Sequence, residues 1–206
     1  MAAASRMAGR PAADTALVAV SKTFAAEDIL PLLDAGQRRF GENRVQEAQA
    51  KWPALKARNP DIELHLVGQL QSNKAAEAVA LFDVIHSIDR PSLITALARE
   101  TAAQARRPLC FLQVNIGAEP QKGGCAIADT HALLDQARSA GLEMQGLMAV
   151  PPAGVDPAPF FSLLHKMSRQ LSLPHCSMGM SGDFETAIQL GSTMVRIGSA
   201  LFGTRD

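Results

Sequence analysis

The feature that most constrains this chain is a repeated alternation. Short, apolar, β-rich runs recur, and each is followed by an Ala/Leu/Glu-rich stretch with helical spacing. Eight such runs can be marked: Leu17–Ser21, Arg38–Gly41, Ile62–Gly68, Val84–Ser87, Leu109–Ile116, Glu143–Val150, Cys176–Met180 and Met194–Ile197. The stretches between them predict helices over Ala26–Ala35, Val45–Ala57, Asn73–Leu81, Pro91–Ala105, Ala128–Ala140, Pro157–Leu171 and Phe184–Leu190. Strands that alternate with helices pair in parallel, because each helix carries the chain back to the same edge. Eight repeats predict closure into a (β/α)₈ barrel, an α/β fold. A doubly wound open sheet is the second choice, since spacing alone does not separate the two. Gly36 and Gly191 stand where helices should stop, and Pro91 where one should start.

The chain has 206 residues, somewhat short for a barrel of about 250. The expected division is a short, flexible N-terminus over residues 1–14 and a single barrel domain over 15–206. Twenty basic residues balance twenty acidic ones with no long basic run, which argues against nucleic acid as partner. No apolar window is long enough to span a membrane, and the opening MAAASRMAGRPAAD lacks the apolar stretch of a secretory signal. Three scattered cysteines, none in a CxxC pair, fit a reducing, cytoplasmic setting. The five histidines show no HxxxH or HxH spacing, so no metal site is expected.

In such a barrel the functional groups gather where strands end and βα loops begin. Lys22 follows the run LVAV and should be aimed into the barrel mouth. An ammonium there is costly unless paired or deprotonated, and the deprotonated amine is what Schiff-base chemistry needs. A rim lysine paired with a carboxylate is the plainer alternative. Ser181-Gly182 after the seventh run and Gly198-Ser199 after the eighth each precede a helical turn. Two small-residue loops after strands seven and eight are the usual phosphate site of this fold. Arg196 lies inside the last strand and needs an acceptor, either an acidic neighbour such as Asp183 or Glu185 or a bound ligand. A lysine, a double phosphate loop and a barrel arginine together match pyridoxal 5′-phosphate (PLP), with Arg196 facing its ring nitrogen.

The segments VAVSKT (Val18–Thr23), FGENRVQE (Phe40–Glu47), HLVGQLQSNK (His65–Lys74), GLMAVPP (Gly146–Pro152), SMGMSGDFETAI (Ser177–Ile188) and GSTMVRIGSALFG (Gly191–Gly203) resemble, in order, the pyridoxal phosphate homeostasis proteins. The resemblance runs from Leu17 to Asp206. It implies a cofactor carrier with the fold of the alanine racemase N-terminal barrel, acting in vitamin B6 balance with no established catalytic reaction. By that likeness Lys22 carries PLP as a Schiff base. Ser181, Gly198 and Ser199 bind the phosphate, Arg196 faces the pyridine nitrogen, and Asn43 and Met180 line the cofactor. Lys122 becomes a candidate for transient contact, and apo forms of PLP-dependent enzymes become candidate recipients. The family usually has a helix of some twenty residues before its first strand, and none is expected here.

Racemases of this fold pair their lysine with a tyrosine from a second domain. This sequence contains no tyrosine, and no second domain follows the barrel, so a monomeric carrier is expected rather than an enzyme. The alternative is a low-activity PLP-dependent racemase or lyase that borrows His65 or Cys176 as its second base.

Overall fold

The computed structural model describes residues 1–203; the expected domain limit at Asp206 lies outside them. Eight parallel strands close into one barrel in sequence order, with β1 (Ala16–Val20) paired to both β2 (Arg39–Glu42) and β8 (Met194–Ile197). Between them run β3 (Glu63–Leu66), β4 (Val84–Ile88), β5 (Leu109–Gln113), β6 (Glu143–Met148) and β7 (His175–Ser177). The open sheet is thereby set aside. One helix follows each strand: α2 (Ala26–Asp34), α3 (Val45–Arg58), α4 (Ala75–Leu81), α5 (Pro91–Gln104), α6 (Thr130–Ser139), α7 (Ala158–Gln170), α8 (Phe184–Gln189) and α9 (Ser199–Phe202).

Strand parity sorts the core into two parts, because successive side chains point to opposite faces. Ala19, Phe40, Leu64, Leu66, Ile85, Cys110, Leu112, Leu147 and Cys176 point outward and pack with Ile29, Trp52, Leu97 and Phe161 of the helices. Val18, Val84, Phe111, Met148 and Met194 point inward and form a separate cluster in the lumen. Gly36 and Gly191 do end α2 and α8 in left-handed conformations, at φ of +90° and +99°.

Three expectations need correction. The strand runs β3 and β5 to β7 are shorter than their apolar stretches. After Gln113 the chain peels off, and Val114 forms an isolated bridge with Cys125, so the apolarity of Val114–Ile116 reflects burial under a loop. The seventh strand starts at His175 and stops at Ser177, because Gly179 turns the chain at φ +96°. The N-terminus is not helix-free either. Ala2–Met7 form α1, six residues long, whose Ala4 is buried against Ile188, Val195 and Ile197. The Arg10 guanidinium fastens the following turn by donating to the carbonyls of Ile188 and Ser192, both at 3.0 Å. Its amphipathic signal is too short to read from sequence; the burial comes from the α8–β8 surface it covers.

Candidate functional site

At the C-terminal mouth of the barrel lies a cavity of about 520 Å³ lined by Val20, Lys22, Asn43, Val67, Val150, Met180, Ser181, Gly182, Arg196, Gly198 and Ser199. All seven residues singled out by sequence reasoning are on this wall. A larger recess beside α7 and Arg10 lies away from the mouth and contains none of them. The walls that sequence reasoning missed are Val20, Val67 and Val150. The parity signal for Val20 was present, since it stands two residues before Lys22 on the same strand face.

Lys22 is exposed rather than buried, so the argument from a costly buried ammonium does not carry over; its place on the cavity wall does. The turn that presents it is held from outside the lumen. Glu42, fully buried, accepts from the Ser21 hydroxyl at 2.8 Å and from Trp52 Nε1 at 2.9 Å, and pairs with Lys51 at 2.6 Å. Lys51 Nζ also donates to the backbone carbonyls of Ser21 and Phe24, both at 2.9 Å. Thr23, next to Lys22, takes φ +66°, a costly conformation for a β-branched residue, and its N–H is held by Glu47. Strain of that kind persists only where surrounding contacts impose it, and here those contacts hold the turn after β1 that carries Lys22.

Asn43 is set by a close backbone approach. A Cβ on Gly68 would sit 2.3 Å from the Asn43 carbonyl oxygen, so only glycine lets the β3 end pass this near. The two final loops are joined directly: the Ala200 N–H donates to Ser181 Oγ at 3.3 Å. Phe24 stacks on Phe202 with centroids 4.7 Å apart, tying the Lys22 turn to α9.

Arg196 is the buried charge on the cavity wall. Only 5% of its surface is exposed, and among the described residues no carboxylate lies within ion-pair distance. Asp183 and Glu185, the plainer partners, do not pair with it; burial pushes the guanidinium down to about 10, with distant Asp183 opposing. Its hydrogen bonds go to Ser177 Oγ at 2.6 Å and the Ala149 carbonyl at 2.9 Å. A buried cation with neutral partners on a cavity wall calls for an acceptor in that cavity.

Lys122 lies elsewhere. It pairs with Glu119 at 2.5 Å, donates to the Pro151 carbonyl at 2.8 Å, and lines a small adjoining recess that shares Val150 with the main cavity. The two candidate second bases also miss the cavity. His65 is buried mid-barrel with both ring nitrogens engaged. Cys176 points out of the barrel, and burial raises its thiol. No group of three or more metal-ligating side chains occurs among the described residues, and no helix there is long and apolar enough to cross a membrane.

Fold and cavity together define a (β/α)₈ barrel of the alanine racemase N-terminal type: that family model matches residues 2–206. The pyridoxal phosphate homeostasis protein of Escherichia coli is 38% identical over 214 residues, covering 99% of this chain and 92% of that protein. That of Aquifex aeolicus is 36% identical over 208 residues, covering 96% and 90%. The solved structure of PipY of Synechococcus elongatus with PLP bound is 40% identical and superposes with a TM-score of 0.83, covering 98% of each chain. The chain belongs to the family of pyridoxal phosphate homeostasis proteins. Alanine racemase of Clostridium difficile, 11% identical with a TM-score of 0.74 over 93% of this chain and 53% of its own, shares the fold alone.

Proposed function

We propose that this chain holds PLP in the barrel mouth, its aldehyde joined to the Lys22 amine, and keeps or hands over the cofactor without turning over a substrate of its own. The observation that carries this reading is the convergence of Lys22, Ser181, Gly198, Ser199 and a buried, carboxylate-free Arg196 on one cavity. The donor set fits the group. PLP brings an aldehyde, a doubly charged phosphate and a ring nitrogen that accepts a hydrogen bond. Lys22 offers the amine, the two joined loops offer hydroxyls and N–H groups to the anion, and Arg196 offers N–H to the nitrogen. Val20, Val67 and Val150 supply apolar surface for the ring, and Asn43 and Met180 complete the wall.

When bound, PLP supplies an electron sink whose strength depends on protonation of its ring nitrogen. Arg196 is a permanent donor and keeps that atom an acceptor, which weakens the sink and favours storage over carbanion chemistry. The sequence contains no tyrosine, and among the described residues no histidine or cysteine lines the cavity, His65 and Cys176 lying away from it, which supports a carrier without a second base. The naming of relatives as homeostasis proteins supports the same reading. Three cysteines, all free and buried, fit a reducing cytoplasm. Exchange of the cofactor with apo enzymes and a monomeric state complete the proposal. Lys122, held at the adjoining recess, is placed to meet a cofactor that enters or leaves.

The test is the visible spectrum of the protein after incubation with PLP. Absorbance in the violet that is lost in Lys22→Ala supports the assignment. Retention of the same band in Lys22→Ala overturns it. Incubation with single amino acids in D₂O separates carrier from enzyme: catalytic incorporation of deuterium at Cα would establish turnover.

A further inference from the structure

A line of polar side chains crosses the barrel lumen from the mouth to the opposite end. Arg196 Nη1 donates to Ser177 Oγ at 2.6 Å. Ser177 Oγ lies 3.0 Å from His86 Nδ1, and His86 Nε2 lies 2.9 Å from His65 Nδ1. His65 Nε2 then lies 2.8 Å from Glu63 Oε1, which also accepts from Arg39 Nε at 3.1 Å. Ser177, His65 and His86 are each fully buried, and Glu63, at the start of β3, opens on a recess at the far end of the barrel. His86 is clamped flat against Phe111, with ring centroids 4.5 Å apart and planes 4° from parallel.

With both imidazoles neutral, as burial favours, its two ends allow only one arrangement of hydrogens. Arginine can only donate, and an ionised carboxylate can only accept. His65 therefore carries its proton on Nε2, toward Glu63, and presents a bare Nδ1. His86 must then carry its proton on Nε2, toward His65, and present a bare Nδ1 to the Ser177 hydroxyl. That hydroxyl donates to His86 while it accepts from Arg196. All four hydrogen bonds point the same way, from the guanidinium to the carboxylate, and each polarises the next. Burial lowers both imidazoles, His86 further because His65 and Arg196 lie beside it, so both rings are neutral links.

We propose that Ser177, His86, His65 and Glu63 are positioning residues. Their one-way hydrogen-bond chain holds the Arg196 guanidinium toward the cofactor's ring nitrogen and couples it to a carboxylate at the other end of the barrel. The coupling half of this inference rests on the function proposed above; the tautomers do not.

Two measurements test it. Nitrogen-15 NMR of the ligand-free protein near neutral pH should show His65 and His86 both neutral with the proton on Nε2. The His86 signals should shift in Ser177→Ala and the His65 signals in Glu63→Gln. Either ring protonated, or carrying its proton on Nδ1, overturns the chain. With PLP added, Ser177→Ala should raise the dissociation constant about tenfold and Glu63→Gln about threefold, both with a moved absorbance maximum. Asp61→Asn, which removes an exposed carboxylate paired with Arg38, serves as control and should move neither. Binding by the unmutated chain with an unmoved spectrum and affinity in Glu63→Gln overturns the coupling alone. No binding by the unmutated chain overturns the proposed function, and the coupling with it.

Discussion

The barrel lumen and the shell around it are built from opposite materials. The shell between strands and helices is a continuous apolar layer of Ile, Leu, Val and Phe, interrupted chiefly by the buried Glu42–Lys51 pair. Among the described residues the lumen carries a small apolar cluster of five buried side chains, and past it runs the line from Arg196 to Glu63. Apolar burial is the larger source of stability, at roughly 25 cal/mol per Å². Polar groups in a lumen gain little net stability even when fully bonded. The shell stabilises the fold, and the lumen positions a guanidinium.

The contrast can be broken from the shell side first. Phe161→Ala, at a site with no exposed surface, should cost about 3–5 kcal/mol by denaturant unfolding. Any folded fraction should still bind PLP with near-normal affinity. Lys51→Met should cost a similar amount, about 3–5 kcal/mol, because it strands the Glu42 carboxylate with no exposed surface; it should also loosen the Lys22 turn and so weaken PLP retention. If Lys51→Met leaves both stability and binding unchanged, the clamp has no such role.

Lumen changes should show the reverse signature. Arg196→Ala should weaken PLP binding by about 1.5–3 kcal/mol, measured by titration, and shift the spectrum. Unchanged affinity would remove Arg196 from the site. Ser181→Ala should cost about 1–2 kcal/mol of binding, about tenfold, with little change in unfolding. The smallest effect concerns pH. His65 and His86 are depressed in the folded chain, so the unfolded chain binds protons that the folded one refuses. Stability should fall as pH drops below about 6.5, the ordinary imidazole value, and be fully present above it. A urea midpoint flat across that range would mean the histidines are not held neutral.

Much of the shell could be read in the sequence because it repeats: the apolar run recurs eight times and the helical stretch seven, with glycine stops at Gly36 and Gly191 marking two of the boundaries. The mouth was legible for a different reason. Lys22, Ser181, Gly198 and Arg196 sit at strand ends, where chain order alone brings them to one rim. The lumen line was not legible. His65 and His86 are 21 residues apart and His86 and Ser177 are 91 apart, so their contact depends on barrel closure and register. Read singly, each is an ordinary buried strand residue. Cys176 was misplaced as a candidate base for want of parity: once Ser177 faces inward, its neighbour must face out. The six-residue α1 and the bridge at Val114 depend on surfaces formed elsewhere in the chain.

The most direct measurement is to incubate the protein with PLP, reduce with borohydride, and map the modified peptide by mass spectrometry. The account predicts one phosphopyridoxyl group per chain, on Lys22, and none in Lys22→Ala. No adduct, or an adduct on Lys122 or another lysine while Lys22 stays unmodified, would contradict it.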